Sequence, residues 1–274
     1  FFQLKREDFD RAVDQLSRAI PDSSDAEIIT GMARIVALAG DGHTSLPLTQ
    51  QAAGFRRLPF VFYWYEDGVF VTQAASAYKR ALGARVIQIG DKDAQQALLL
   101  IASVIAHEND AWVRHNAPGY LALADLLQAL KIAPNAAAVR LVLQDRAGSR
   151  FEIEAPSAAG LAGDMVAAPD RSNGFTPLYR RSTDQNYWFT YLASARTLYF
   201  RYNRCQEMPA LPFARFADQL FAEFDAKPVD RLVVDFRDNG GGNSQVIRPF
   251  FDGLRNRLAR FGSPTRFYAI IGRG

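Results

Sequence analysis

A chain of 274 residues, 49% hydrophobic and 22% charged, has the composition of an ordinary globular protein and can bury a sizeable core. Its net charge of +3 is too weak a bias to argue for a nucleic-acid partner, which needs a basic stripe; Arg255, Arg257, Arg260, Arg266 and Arg273 read instead as solvated faces. No apolar run reaches the length of a membrane span, and the single cysteine, Cys205, excludes a disulfide within the chain.

Taken in order, Phe9, Val13, Leu16 and Ile20 fall at helical spacing and predict an amphipathic N-terminal helix. Pro21-Asp22-Ser23 breaks it. Ser24 and Glu27 form a capping-box pattern before a second helix, with Ile28, Met32, Ile35 and Val36 as its stripe. Gly40 stops that helix, and His43 follows at once in the loop. Leu58 to Thr72 turns to aromatic and β-branched residues. Glu66-Asp67-Gly68 punctuates it, so a β-hairpin is expected. Arg85 to Ile89 alternates as a strand, and Ala97, Leu98, Ile101 and Ile105 mark a helix. His107, Trp112 and His115 read as a loop leading to a helix with Leu123, Leu126, Leu127 and Leu130. Val139, Leu141 and Leu143 alternate, turn at Asp145 to Gly148, and return through Phe151 and Ile153. Pro156 to Arg181 is rich in small and polar residues without a period, as a linker would be.

Trp188 to Tyr202 is strand-like. Pro212 suits the first turn of a helix whose buried stripe is Phe213, Phe216, Leu220, Phe221 and Phe224. Leu232-Val233-Val234 is short, β-branched and not alternating, as expected of a strand covered on both faces. Gly240-Gly241-Gly242 then allows a sharp turn and a close approach to a bound group. A helix beginning near Ser244 would aim its free N–H groups at the same spot, making a pocket for a phosphate or for an oxyanion. The phosphate reading fails on pattern, because no lysine–serine pair follows the glycines and the dinucleotide spacing is absent. Val246, Ile247, Phe250, Leu254 and Leu258 continue as a helix, with Pro249 a kink near its start. Phe267 to Ile271 is a further strand, completing a parallel crossover.

Asp235-Phe236-Arg237-Asp238-Asn239-Gly240-Gly241-Gly242 resembles the Asp-Leu-Arg-x-Asn-x-Gly-Gly signature of the tail-specific, or C-terminal processing, serine peptidases. That family includes the tricorn core protease and interphotoreceptor retinoid-binding protein. Asp41-Gly42-His43-Thr44 resembles the histidine-bearing motif of the tricorn-like branch. The resemblance implies a mixed α/β fold. Its catalytic part would be a crotonase/ClpP-like parallel ββα unit, truncated at its C-terminus. An N-terminal helical segment would span residues 1–50, a β-rich PDZ-like module 51–155, a linker 156–181, and the catalytic domain 182–274.

The implied activity is that of a serine endopeptidase working through an acyl-enzyme, with its nucleophilic serine beyond Gly274. His43 would be the general base, and Gly241 and Gly242 the oxyanion donors. Asp235 and Arg237 would brace the turn. Gly42 stands where the tricorn enzyme has an auxiliary serine, which leaves open what orients the imidazole. The lysine-dyad branch typically has tyrosine at the place of His43, so a serine–histidine arrangement is implied. The implied partner is a polypeptide, with recognition of its C-terminus left open, and with no cofactor and no nucleic acid. An extracytoplasmic location follows, with the export signal absent from this chain; oligomeric state is left open.

Two other readings stand beside this one. The chain could be a non-catalytic peptide or small-ligand binding protein that keeps the fold. It could also be an α/β hydrolase using Ser244, although Gly242-Asn243-Ser244-Gln245-Val246 lacks the second glycine of a nucleophile elbow, and a helix N-cap is a sufficient role for that serine. Cys205 has no partner motif. His107 and His115 lack metal-ligand spacing with acidic or cysteine partners, so no metal is expected.

Overall fold

The computed structural model describes residues 4–49, 53–168, 174–261 and 266–273. It divides into two compact units, Phe1–Asp170 and Arg171–Gly274.

The first unit opens with α1 (Arg6–Ala19) and α2 (Asp25–Ala37). The capping box before α2 is formed, with the Glu27 N–H donating to Ser24 Oγ at 3.3 Å and the Ser24 N–H donating to Glu27 Oε2 at 3.0 Å. Gly40, at φ +62°, turns the chain out of α2. The predicted stripe of α1 is present but buries no residue, and Ile20 remains 45% exposed. A hairpin follows, β1 (Phe60–Tyr65) and β2 (Gly68–Ala75), closed through Glu66 and Asp67.

After β3 (Arg85–Ile89) and the short β4 (Lys92–Asp93), Asp93 caps α3 (Ala94–Ala102) by accepting the Gln96 N–H at 2.8 Å. Next come α4 (Asp110–Leu121), α5 (Ala124–Ala129), β5 (Ala138–Gln144), β6 (Arg150–Pro156) and β7 (Met165–Ala167). The stretch holding Trp112 and His115 is therefore helix α4, not a loop. Pro118 and Gly119 lie inside it and mask the helical period, while Asn109 caps it by accepting the Trp112 N–H at 3.0 Å.

The sheet of this unit runs β1-β2-β3-β5-β6, with β4 on β3 and β7 on β2. Strand β7 lies within the stretch read as a patternless linker; three residues are too few to show an alternation. Residues 169–173 of that stretch are outside the described residues. Ala33 of α2 and Leu48 belong to the same buried core as Phe60, Val71, Ile89 and Leu141. The N-terminal helical segment and the β-rich module thus share one core.

The second unit begins with the antiparallel pair β8 (Tyr187–Leu192) and β9 (Thr197–Tyr202), so the strand-like stretch from Trp188 is two strands. The 3₁₀ turn between them ends at Arg196 in the left-handed region, φ +45°. Helix α6 (Phe213–Ala226) has Pro212 as its N-cap, one place before the first turn. Its stripe Phe213, Phe216, Leu220, Phe221 and Phe224 is buried as predicted, about 1.5–3 kcal/mol for each side chain taken from water. Then β10 (Arg231–Asp235), α7 (Arg248–Arg255) and β11 (Phe267–Ile270) complete a sheet in the order β11-β10-β9-β8. Strand β10 runs parallel to both β9 and β11. The helix read from near Ser244 is a 3₁₀ turn, Ser244–Ile247, followed by α7, and Pro249 sits in the first turn of α7, where the missing N–H costs nothing. The mixed α/β fold expected from the sequence is the one observed.

Candidate functional site

The residues singled out for chemistry fall in both units. His43 belongs to the first, Gly241 and Gly242 to the second.

The His43 loop is held by two carboxylates. Asp41 Oδ1 accepts the His43 N–H at 3.1 Å, and its Oδ2 accepts the Thr44 hydroxyl at 2.7 Å. Glu108 Oε1 accepts the Gly42 N–H at 2.9 Å. The Thr44 hydroxyl, followed by the His43 N–H, holds the Asp41 carboxyl below its usual pKa. The His43 side chain itself is fully exposed, with Nδ1 3.7 Å from Asp41 Oδ1, beyond hydrogen-bond length. Gly42 has a local reason. A Cβ there would stand 3.1 Å from Trp112 Nε1 and 3.2 Å from Glu108 Oε2, so a serine at this place would press on both. Asp41, His43 and Glu108 offer ligand atoms within 4.8 Å of one another, a spacing that suits a cation but that exposed carboxylates also adopt without one. Sequence reading missed Glu108 because it lies 66 residues from Gly42.

The glycine turn is organised from below by Asp235, at the end of the central strand β10 and wholly buried. Its carboxylate accepts Tyr199 OH at 2.6 Å, Arg201 Nη1 at 2.8 Å, the Arg237 N–H at 3.0 Å, and Arg237 Nε and Nη2 at 3.0 and 2.5 Å. Burial alone would raise the Asp235 pKa; the hydrogen bonds from Arg237 and Tyr199 outweigh it and hold the carboxyl ionised. Burial, reinforced by that carboxylate, pushes the Tyr199 phenol far up, so Tyr199 stays a donor. Arg201 reaches on to Asp238 Oδ2 at 3.1 Å, and Asp238 has φ +62°. The bracing role read for Asp235 and Arg237 agrees with this geometry, and Arg201 and Tyr199 join it.

The glycines differ from one another. Asn239 donates through Nδ2 to Tyr202 O at 2.9 Å, and its Oδ1 accepts the Gly241 N–H at 2.8 Å. That N–H is therefore already occupied. The Gly242 N–H has no acceptor among the described residues. Gly242, at φ +124°, lies against Cys205, and a Cβ would fall 2.6 Å from Cys205 O. Cys205 is stitched in on both sides, its N–H donating to Gly241 O at 3.1 Å and its O accepting the Asn243 N–H at 2.9 Å. So the cysteine without a partner motif is the floor of the turn. A pocket of about 290 Å³ opens beside it, with Gly241, Ser244, Ile247 and Phe251 among its walls.

Ser244 is not the helix cap. Asn243 takes that place, its side chain accepting the Gln245 N–H at 3.0 Å, and the first turn after it is a short 3₁₀ helix, Ser244–Ile247. All three histidines of the chain precede Arg171, so Ser244 has no imidazole in its own unit. His107 hydrogen-bonds through Nδ1 to Ile105 O at 2.6 Å, and His115 stacks on Trp112 with ring centroids 5.7 Å apart.

No protein-family model matches this chain, and no curated protein does. Solved structures do. Mature CPAF complexed with lactacystin matches at 12% identity and a TM-score of 0.56, over 88% of this chain and 52% of that one. The chain shares its fold with CPAF. Mature CPAF alone gives the same identity and TM-score, over 88% of this chain and 51% of CPAF. The CPAF S499A mutant gives 12% and 0.53, over 85% and 51%. This chain thus spans about half the length of the CPAF structures it matches. Among the described residues, no helix is long and apolar enough to cross a membrane.

Proposed function

We propose that this chain is part of a serine endopeptidase of the tail-specific family, cutting polypeptides through an acyl-enzyme. The observation that carries the reading is the turn after β10: a Gly242 N–H without an acceptor among the described residues, held in place by the buried Asp235 network, on a fold shared with CPAF, of which a complex with lactacystin and an S499A mutant are known.

In this reading Gly242 donates to the oxyanion. Gly241 supports it through Asn239 rather than acting directly, since its own N–H is occupied. His43 takes the proton of a serine that the family resemblance places beyond Gly274, then returns it to the leaving amine. Asp41 is the nearest carboxylate to the imidazole, and a closure of the 3.7 Å gap would let it orient Nδ1. Ser244 is set aside as nucleophile because Gly242-Asn243-Ser244-Gln245-Val246 lacks the second glycine of a nucleophile elbow. An extracytoplasmic site of action goes with the same reading.

The test is active-site labelling with a fluorophosphonate probe. The longer natural chain should label, and His43→Ala in it should slow labelling by several orders of magnitude without lowering its melting temperature. The 274 residues alone should not label. Labelling of this shorter chain would return the nucleophile to Ser244. Full labelling of the His43→Ala variant would remove the histidine from the mechanism. No labelling of the longer chain would leave a peptide- or small-ligand-binding protein on a peptidase fold.

A further inference from the structure

The single thiol of the chain stands at the glycine turn. Cys205 is half-buried, and its backbone is pinned between Gly241 O and the Asn243 N–H. Its Sγ donates to Asn239 Oδ1 at 3.5 Å, the oxygen that also accepts the Gly241 N–H. Cys205 and Tyr202 together line the pocket of about 290 Å³ beside the turn, so a small molecule in that pocket meets the sulfur.

Tyr202 supplies an independent observation. It is 1% exposed, and its hydroxyl is sealed from solvent with no hydrogen-bond partner among the described residues. Buried hydroxyls as a rule have a partner. The neighbouring tyrosine shows what is missing: Tyr187, its ring stacked 6.5 Å from that of Tyr202, donates its OH to Leu211 O at 2.5 Å. The Tyr202 hydroxyl is turned toward the Cys205 thiol instead. Burial first, and then that thiol, push the phenol far up, so it keeps its proton and stays a donor. A thiol is a weak acceptor, and this one directs its own proton to Asn239. A fixed donor therefore stands beside a sulfur that gives it nothing to bond.

We propose that Cys205 is a site of reversible oxidation by hydrogen peroxide, and that the Tyr202 hydroxyl holds the sulfenic acid formed there. In the step, the sulfur attacks one peroxide oxygen. An S–O bond forms, the O–O bond breaks, and the hydroxide that leaves takes up the thiol proton to become water. Sulfur gives up two electrons and the peroxide gains them. The new oxygen is an acceptor, and it provides the partner that the buried hydroxyl lacks. A single added oxygen suits the site better than a bulky thiol adduct, because Cys205 is half-buried and a Cβ on Gly242 would already stand 3.1 Å from the Cys205 Cβ. With no second cysteine in these 274 residues, no disulfide within them can consume the sulfenic acid. In the peptidase reading the added oxygen stands beside Gly242 and competes with the oxyanion for its place. That consequence rests on the reading; the modification itself does not.

Treatment of the 274-residue chain with hydrogen peroxide, then with dimedone after timed delays, tests it by intact mass. The parent should take up one dimedone per chain, and Cys205→Ser none. Tyr202→Phe keeps the ring and removes only the hydroxyl. Its sulfenic acid should be lost about tenfold faster than that of the parent, because the bond that holds the oxygen is gone. Oxidation should also shift the melting temperature more favourably in the parent than in Tyr202→Phe, since only the parent has a buried hydroxyl to satisfy. Absence of a dimedone adduct on the parent overturns the proposal, as does passage straight to the sulfinic acid. Equal lifetimes of the sulfenic acid in the parent and in Tyr202→Phe remove the hydroxyl from its role. Should Tyr202→Phe not fold, the parent in urea makes the comparison: the folded chain should keep its sulfenic acid about tenfold longer than the unfolded one, and equal lifetimes again overturn the assignment.

Discussion

Asp235 and Arg201 meet at 2.8 Å with side chains 0% and 2% exposed, a buried ion pair directly beneath the glycine turn. A charge pair so placed is strongly favoured over either partner left alone, whatever its worth against an apolar pair. Asp235→Asn should therefore cost about 3–5 kcal/mol, because Arg201 is left buried and half-satisfied and Arg237 loses its bidentate acceptor. Urea denaturation of the variant checks this. A cost near zero would mean that the turn does not depend on the network.

Gly241 and Gly242 should respond differently to alanine. Both have positive φ, +91° and +124°, so both lose backbone comfort. At Gly241 the new Cβ meets open space, whereas at Gly242 it meets Cys205 O at 2.6 Å, backbone that is held on both sides. Gly242→Ala should be the more destabilising by about 1–3 kcal/mol, read as the difference in unfolding free energy between the two variants. Equal costs would place Cys205 and the turn further apart than described.

Glu27 gives a pH signature. The hydrogen bond from Lys131, at 2.5 Å, and the bonds from Ser24 lower its pKa from 4.5 to about 2. A depressed folded-state value stabilises the protein above the unfolded value. That contribution disappears as pH falls from about 4.5 toward about 2. The pair is exposed, so its contribution is below about 1 kcal/mol. Glu27→Gln should flatten the acid limb of a stability-against-pH curve in that window and leave the neutral-pH slope unchanged. An acid limb identical to the parent would remove Glu27 from it.

Trypsin should separate the two units. Arg180 and Arg181 are exposed and follow the division between the units, while β7 ties the preceding residues to β2. Early cleavage at these arginines is expected, before any cut in β1–β6. A first cut inside Met165–Ala167 would show β7 to be open in solution.

Much of this was legible in the sequence, for physical reasons. The stripe of α6, the alternation of β5 and the Ser24–Glu27 box are local patterns, and local patterns survive into structure. Helix α4 was hidden because Pro118 and Gly119 stand inside it and its apolar face is weak. The Ser244 cap was read one residue late, since asparagine and serine cap equally well and sequence alone does not choose between Asn243 and Ser244. At the site, the histidine loop and the glycine turn could be found from residue type. What holds them could not. Gly42 meets Glu108 across 66 residues and Arg201 meets Asp235 across 34, and no single-sequence pattern encodes such pairs. The difference between the Gly241 N–H, which has an acceptor, and the Gly242 N–H, which has none among the described residues, also required Asn239 to be seen in place.

Strand β11 has one last consequence. It pairs only with β10, so one row of its backbone groups is unclaimed among the described residues, and Tyr268 and Ile271 beside it are 42% and 76% exposed. An open, uncharged border of this kind is adhesive. The 274-residue chain on its own should self-associate along that border as its concentration rises, and a lysine at Tyr268 is the natural remedy for anyone preparing it.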